Sequence, residues 1–207
     1  RGEGGNYTKN LEENTGMELQ ANQKKLIHEL SKAYPNKPLI VVYNGGRPLC
    51  MSNEVKVVHV FINVGDLGSR GGDALANIIY GHVNPSGRLN FTWPKNNGQT
   101  GTHNDYWYGN PHWGPAGAIN AQFAFGDGMS YSEFEFDNVQ SRISGSNEVT
   151  LQVEVKNKGT MDGKVPVVFF SYCFGQVGME SSSPPRVVAF GKPFIEAGTP
   201  KRVTIKV

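Results

Sequence analysis

The sequence predicts two units in succession, an α/β unit built on a mostly parallel sheet and then an all-β sandwich. In the first half, apolar runs of strand length alternate with amphipathic helical segments, an order that right-handed crossovers onto a parallel sheet produce. From about Phe134, apolar residues recur instead at every second position, as in half-buried antiparallel strands. The 207 residues are enough for each unit to bury a core.

The α/β unit is expected to contain two helices and two strands. Residues 17–33 carry leucine and isoleucine at helical spacing among Gln, Lys and Glu. Residues 39–43 and 57–62 are short, wholly apolar and rich in β-branched side chains, as buried parallel strands are. A second helix is predicted over residues 72–80, with Gly81 as its C-cap.

In such sheets, ligands bind at the carboxyl ends of the parallel strands. Here that edge would be formed by the turn at residues 44–48, Asn-Gly-Gly-Arg-Pro, and the loop at residues 65–72. Glu54, Asp66 and Asp105 are loop carboxylates that are expected to be solvated, whereas His59, within an apolar run, is expected to be a hydrogen-bonded core histidine.

Residues 95–122 are rich in Gly, Asn, Pro and aromatic residues, and a segment of this length in a compact protein is usually functional or disordered. Its large aromatic side chains argue against disorder. They could pack over a domain junction, or they could offer flat faces to a sugar ring. The residues concerned are Tyr106, Trp107, Tyr108 and Trp113.

The second unit reads as a small β-sandwich of immunoglobulin or fibronectin type. Residues 149–156 and 202–207 alternate apolar with polar, and residues 165–172 and 187–190 supply further strands. Because the chain stops on a strand, the sandwich is expected to be incomplete.

Composition is that of a soluble globular protein, with 38% hydrophobic and 18% charged residues. The net charge of +2 is scattered, so neither a nucleic acid nor a membrane surface is an expected partner, and no apolar run is long enough to span a membrane. No signal peptide is recognisable, which favours a mature or internal fragment. Cys50 and Cys173 fit no zinc or redox spacing and are expected to be buried free thiols, with a long-range disulfide as the alternative.

The first eight residues place Glu3 between glycines. This carboxylate could be a general acid on a loop, or an ordinary solvated side chain at a frayed terminus. From these residues alone the second interpretation is favoured. Glycosylation sequons begin at Asn6 and Asn90 and give weak support to a secretory route.

Several ordered segments carry a family resemblance. They are Gly-Glu-Gly at residues 2–4, Asn-Gly-Gly-Arg-Pro-Leu at 44–49, and the stretch 71–94, which contains Asn-Pro-Ser-Gly-Arg-Leu and Thr-Trp-Pro. Phe-Gly-Asp-Gly-Met-Ser-Tyr at 125–131 and Val-Lys-Asn-Lys-Gly at 155–159 complete the set. Together they resemble the C-terminal half of glycoside hydrolase family 3, the β-glucosidase and exo-β-glucanase family. Asp127 and Met129 depart from the family pattern, which has Tyr and Leu there, and Asn90 stands where Pro is common.

The resemblance implies a retaining β-glucosidase that uses two carboxylates, which must lie about 5 Å apart across the scissile bond. Glu3 matches the general acid/base of the family. The nucleophilic aspartate is implied to lie on an N-terminal barrel domain of the same precursor, outside this sequence. A β-linked glucoside or oligosaccharide is the implied substrate, and this chain by itself is expected to be inactive.

The implied organisation is an α/β sandwich portion at 1–94, an aromatic-rich connection at 95–133 and a fibronectin type III-like domain at 134–207. Secretion or a lysosomal or vacuolar location is expected, without a metal or cofactor. Two alternatives stay open, a β-xylosidase and a non-catalytic carbohydrate-binding or interaction module. Glu3 favours an enzyme, because acid/base catalysis requires such a carboxylate and a degenerate module does not.

Overall fold

The computed structural model describes residues 16–97, 121–144, 148–171 and 186–207. They fall into two compact units. The described parts of the first lie within Arg1–Gly72 and Phe91–Phe125, and those of the second within Asp73–Asn90 and Gly126–Val207.

The first unit contains helix α1 (Ala21–Ala33), strand β1 (Ile40–Tyr43), a 3-10 turn (Glu54–Lys56) and strand β2 (Val60–Asn63). The two strands are parallel, with Ile40 opposite Val60 and Tyr43 opposite Asn63, as the apolar runs predict. Strand β2 begins three residues later than predicted, because Val57 is the C-cap of the 3-10 turn and not a strand residue.

Helix α1 also begins later than its apolar pattern. Glu18 forms an isolated parallel bridge with Cys50, so the chain is extended there and the helix starts at Ala21. The backbone N–H of Gln20, the N-cap residue, donates to Oε1 of Gln23 at 3.3 Å. Backbone N–H groups at the start of a helix have no partner within the helix, and this side chain supplies one.

An aromatic cluster forms the core of the first unit. Trp93 is fully buried, and its ring meets those of Tyr43 and Phe61 edge-on at centroid distances of 5.7 and 5.6 Å. Its indole N–H donates to the backbone oxygen of Leu49 at 2.7 Å, which satisfies the one polar group of the side chain. Phe123 stacks on Phe61 at 6.0 Å.

The cluster covers one face of the parallel pair. Tyr43 points into it and is buried, while Ile40, Val42 and Val60 on the opposite face are exposed. The expectation of strands buried on both faces is therefore wrong within the described residues. Uniform apolarity does not specify which of two faces is covered.

The second unit begins in helix α2 (Gly71–Ile79). Gly81 has φ +73° and donates to the backbone oxygen of Ile78 at 3.0 Å, so the predicted glycine C-cap is confirmed. None of the described helices is long and apolar enough to cross a membrane.

Antiparallel strands make up the rest of this unit. They are β3 (Phe134–Ser144), β4 (Glu148–Asn157), β5 (Gly163–Lys164), β6 (Val167–Ser171), β7 (Arg186–Gly191), β8 (Phe194–Ile195) and β9 (Pro200–Lys206). Strand β4 pairs with both β3 and β9, β5 with β8, and β6 with β7. The alternating segments predicted at 149–156 and 202–207 are thus confirmed as strands β4 and β9. The buried core is aliphatic and consists of Val153, Val155, Val165, Val167 and Ile195.

Candidate functional site

One turn follows each of the strands β1 and β2, and a hydrogen bond from within or beside the turn holds each one. The hydroxyl of Tyr43 donates to the backbone oxygen of Arg47 at 2.6 Å, which folds the Asn-Gly-Gly-Arg-Pro turn back over the tyrosine. A Cβ on Gly45 would lie 2.4 Å from that hydroxyl, so only glycine fits there. After β2, Gly65 has φ +57° and its N–H donates to the side-chain oxygen of Asn63 at 3.3 Å.

Most of the predicted site residues lie outside the described residues. These are Glu3, Asn6, Tyr106, Trp107, Tyr108 and Trp113, and their roles stay predictions. Asn90 is described, and its side chain is exposed.

Glu3 and the four aromatic residues belong to two segments, residues 1–15 and residues 98–120. The described residues next to these two segments contact each other in the first unit. The backbone N–H of Met17 donates to Oδ1 of Asn97 at 2.9 Å, and Nδ2 of Asn97 donates to Oε1 of Glu18 at 3.5 Å. Residue 16 is the first described residue after the segment that contains Glu3, and Asn97 is the last before the segment that contains the aromatic residues. We refer to Gly16, Met17, Glu18, Cys50 and Asn97 as the Asn97 junction.

Cys50 lies at the centre of the Asn97 junction and is buried. Its backbone N–H donates to the backbone oxygen of Met17, and its Sγ lies 4.0 Å from Oδ1 of Asn97. Burial raises the pKa of the Cys50 thiol, the carboxylate of Glu18 acts in the same direction, and Lys24 opposes both. The sulfur therefore stays protonated at neutral pH and acts as a weak donor to the amide.

The aromatic-rich segment is also fixed at its base. The backbone N–H of Trp93 donates to the oxygen of Phe123 at 2.8 Å, and the N–H of Gln122 donates to the oxygen of Trp93 at 2.8 Å. The hydroxyl of Ser52 donates to the oxygen of Lys95 at 2.7 Å. The chain on both sides of residues 98–120 is thus attached to the aromatic core.

Two expectations about titratable residues are wrong. Glu54 is buried, because the 3-10 turn carries it against α1, where its Oε1 lies 3.6 Å from Nε2 of His28. His59 is exposed, not in the core, although its Nδ1 accepts a hydrogen bond from the Leu39 N–H at 3.0 Å. Asp66 is exposed as predicted, and Asp105 lies outside the described residues. Across the described ranges, no cluster of three or more His, Cys, Asp or Glu side chains is arranged to hold a metal ion.

In the second unit, the Asn-Pro-Ser-Gly-Arg-Leu segment has a structural role. Asn84 is buried and uses both ends of its amide, because Oδ1 accepts from the Tyr131 N–H at 2.9 Å and Nδ2 donates to Oγ of Ser132 at 3.0 Å. The guanidinium of Arg88 donates to the oxygen of Met129 and to Oγ of Ser130, and burial lowers the pKa of this arginine. These bonds join two of the segments on which the family resemblance depends.

Sequence reasoning did not single out Asn97. It stands in a stretch where Asn and Gly are common, and its contacts join residues 80 positions apart, so no local pattern marks it. Its place at the start of the long aromatic segment is the one signal that could have drawn notice.

Residues 2–131 match the family model described as the glycosyl hydrolase family 3 C-terminal domain. This chain belongs to that family, so the predicted membership is confirmed. Among curated relatives, it is 31% identical over 157 residues to a β-xylosidase of Formosa agariphila, covering 71% of this chain and 21% of the relative. It is 29% identical over 168 residues to a lysosomal β-glucosidase of Dictyostelium discoideum, covering 74% and 20%.

Solved structures give the same fold. A β-glucosidase from Kluyveromyces marxianus superposes with a TM-score of 0.77 at 23% identity, covering 93% of this chain and 24% of that one. A Listeria innocua β-glucosidase in complex with isofagomine gives 0.76 at 22% identity, covering 93% and 28%. The chain spans about a fifth of the length of the curated relatives that it matches.

Proposed function

We propose that this chain is part of a retaining β-glucosidase that hydrolyses terminal β-D-glucosyl residues from glucosides or β-glucans, with Glu3 as the general acid/base. The observation that carries the proposal is the family match over residues 2–131, because this range includes the Gly-Glu-Gly stretch. Relatives named β-glucosidase in a bacterium and in a social amoeba support the substrate class.

The proposed mechanism has two displacements. In the first, an aspartate on an N-terminal barrel domain of the same precursor attacks the anomeric carbon and forms a glycosyl ester, while protonated Glu3 gives its proton to the departing glycosidic oxygen. In the second, the Glu3 carboxylate takes a proton from water, and the resulting hydroxide attacks the anomeric carbon and releases the aspartate. The barrel domain is proposed because this chain spans a small part of its relatives' length.

The aromatic residues Tyr106, Trp107, Tyr108 and Trp113 are proposed to bind substrate by stacking against sugar rings beyond the cleaved bond. Attachment of this segment at Trp93, Lys95 and Asn97 supports the proposal, since a sugar-binding surface needs a fixed base.

The finer layout is likewise proposed. Residues 1–94 would be the C-terminal part of an α/β sandwich domain and residues 134–207 a fibronectin type III-like domain, with 95–133 connecting them. The parallel pair of β1 and β2 supports the first assignment, and the antiparallel order β3-β4-β9 supports the second.

A secreted or lysosomal route is proposed, with glycans on Asn6 and Asn90. Relatives named periplasmic and lysosomal support the route. The exposed side chain of Asn90 is compatible with a bulky surface sugar.

The experiment is a Glu3→Gln substitution in the intact protein that contains this chain. For a glucoside with a poor, alkyl leaving group, kcat/KM should fall by about 10²–10⁴-fold, because glutamine cannot donate a proton. For a 2,4-dinitrophenyl glucoside the first step should change little, since that leaving group departs without protonation. Glu12→Gln is the control, a carboxylate in the same segment that is expected to leave both rates unchanged. Equal rates for Glu3→Gln and wild type on the alkyl glucoside would remove Glu3 from the mechanism.

A β-xylosidase is the second candidate, favoured by the 31% identity to the Formosa β-xylosidase. The ratio of kcat/KM for aryl β-glucoside and aryl β-xyloside separates the two. If the intact protein cleaves neither but binds oligosaccharide, it is the non-catalytic module.

A further inference from the structure

The sequence contains two Asn-Gly dipeptides, Asn44–Gly45 and Asn97–Gly98. We propose that Asn44–Gly45 is a site of spontaneous deamidation in the folded protein, and that the hydrogen-bonded amide of Asn97 protects the other dipeptide. The proposal is independent of Glu3 and of the reaction proposed above, because it concerns only asparagine amides and water.

The reaction needs no reagent other than water. The backbone nitrogen of Gly45 loses its proton to hydroxide and attacks Cγ of Asn44, and the side-chain nitrogen takes a proton from water and leaves as ammonia. A cyclic succinimide results, and water opens it at either carbonyl carbon. One opening gives aspartate at position 44, and the other gives isoaspartate, in which the main chain continues through the side-chain carbons. A following glycine favours the attack because it has no Cβ beside the nitrogen.

Asn44 has a side chain that is free to make this approach. It is exposed, and within the described residues neither its amide nor the N–H of Gly45 forms a hydrogen bond. The turn is held by a different bond, from the Tyr43 hydroxyl to the backbone oxygen of Arg47 at 2.6 Å. The Asn44 amide can therefore turn toward the Gly45 nitrogen without breaking a contact, while the turn stays closed.

Asn97 is exposed as well, but its amide is bonded at both ends. Oδ1 accepts from the Met17 N–H at 2.9 Å, and Nδ2 donates to Oε1 of Glu18 at 3.5 Å. Attack on Cγ requires the amide to turn, and this movement breaks both bonds. Hydrogen bonds of ordinary net strength lower the fraction of open amide by about 10-fold. Hydrogen bonding, and not exposure, therefore distinguishes the two dipeptides.

Deamidation at Asn44 would change the turn that follows β1. Aspartate adds a negative charge there, and isoaspartate also lengthens the main chain by one carbon directly before Gly45. Gly45 has no room even for a Cβ beside Tyr43. The added length therefore displaces the turn and weakens the bond from Tyr43 to the oxygen of Arg47.

The experiment measures deamidation at both positions in one sample of the intact protein that contains this chain. The folded protein is incubated in mildly alkaline buffer, and peptide mass spectrometry follows the conversion of each amide to a carboxyl group with time. Asn44 should be converted at least about 10-fold faster than Asn97. Protein isoaspartyl methyltransferase, which methylates isoaspartate, should label the peptide that contains position 44.

Two controls accompany this measurement. In urea, where neither amide is held by the fold, the two dipeptides should react within about 3-fold of each other. Asn44→Gln removes the reactive side chain, since glutamine would have to form a larger ring, and should leave the rate at Asn97 unchanged. The proposal is overturned if the Asn44 amide persists in the folded protein while it is converted in urea. It is equally overturned if Asn97 reacts as fast as Asn44 in the folded protein.

Discussion

Two buried side chains of the first unit, Trp93 and Tyr43, donate hydrogen bonds to backbone carbonyls of nearby loops. The Trp93 indole reaches the Leu49 carbonyl at 2.7 Å, and the Tyr43 hydroxyl reaches the Arg47 carbonyl at 2.6 Å. Because an unpaired buried donor destabilises by about 1–3 kcal/mol, these residues fix the loops whose carbonyls they use. The aromatic core therefore also sets the backbone at the carboxyl end of β1.

The burial of Cys50 predicts that its thiol reacts slowly with alkylating reagents. Since burial and Glu18 raise the pKa of its thiol, little thiolate is present at pH 8, and alkylation by iodoacetamide in the native protein should be far slower than that of glutathione. The rate should rise as the pH is increased above the ordinary thiol pKa. Peptide mass spectrometry distinguishes Cys50 from Cys173, and labelling in urea is the control. Native labelling as fast as in urea would contradict the burial of Cys50.

The raised pKa of Cys50 also makes the stability of the folded chain depend on pH. The unfolded chain releases the thiol proton at a lower pH than the folded chain, so unfolding is favoured as the pH rises through the unfolded pKa. The contribution of this group to stability is therefore fully present at neutral pH and is lost in alkaline solution.

Among the elements of the second unit, the first residue of β5, Gly163, packs against Asn84. A Cβ on Gly163 would lie 2.7 Å from Nδ2 and 3.1 Å from Cγ of Asn84, so the amide would have to leave its bonds to Ser132 and Asp162. These bonds are buried or partly buried, and their loss leaves polar groups without partners.

We therefore expect Gly163→Ala to destabilise the second unit by about 1–3 kcal/mol. Gly87→Ala is the control, an exposed glycine of the same unit with nothing within 4 Å of the added Cβ, which should change the free energy of unfolding by less than about 0.5 kcal/mol. Hydrogen exchange of the β4 amides measures the opening of this unit directly. Unchanged exchange in Gly163→Ala would show that the contact with Asn84 is not tight in solution.

Element types follow from local patterns, whereas their exact starts depend on contacts between distant segments. Strands β1 and β2 are apolar runs, and β4 and β9 alternate apolar with polar residues. Because each pattern depends only on residues adjacent in the sequence, these strands are predictable. The bridge between Glu18 and Cys50, which delays α1, and the burial of Glu54 by the 3-10 turn depend on tertiary packing. No periodicity encodes them.

On the scale of the whole molecule, family membership is predictable because many motifs occur in order, and the match over residues 2–131 confirms it. The geometry of the candidate site is not predictable in the same way. Asn97 and Met17 are 80 positions apart and form a hydrogen bond only in the folded chain, and a side-chain amide in a Gly- and Asn-rich stretch carries no local signature of that contact. The roles of Glu3 and the four aromatic residues remain predictions that the intact protein must test.

The product formed by the Glu3→Gln protein with a 2,4-dinitrophenyl β-glucoside and azide shows whether Glu3 is the acid/base of a retaining enzyme. Azide needs no general base, so it should attack the glycosyl ester that accumulates, increase the turnover rate, and release β-glucosyl azide with retained configuration. Proton NMR of the anomeric hydrogen identifies that product. Turnover unaffected by azide, or an α-glucosyl azide, would contradict the assignment of Glu3 as the acid/base of a retaining enzyme.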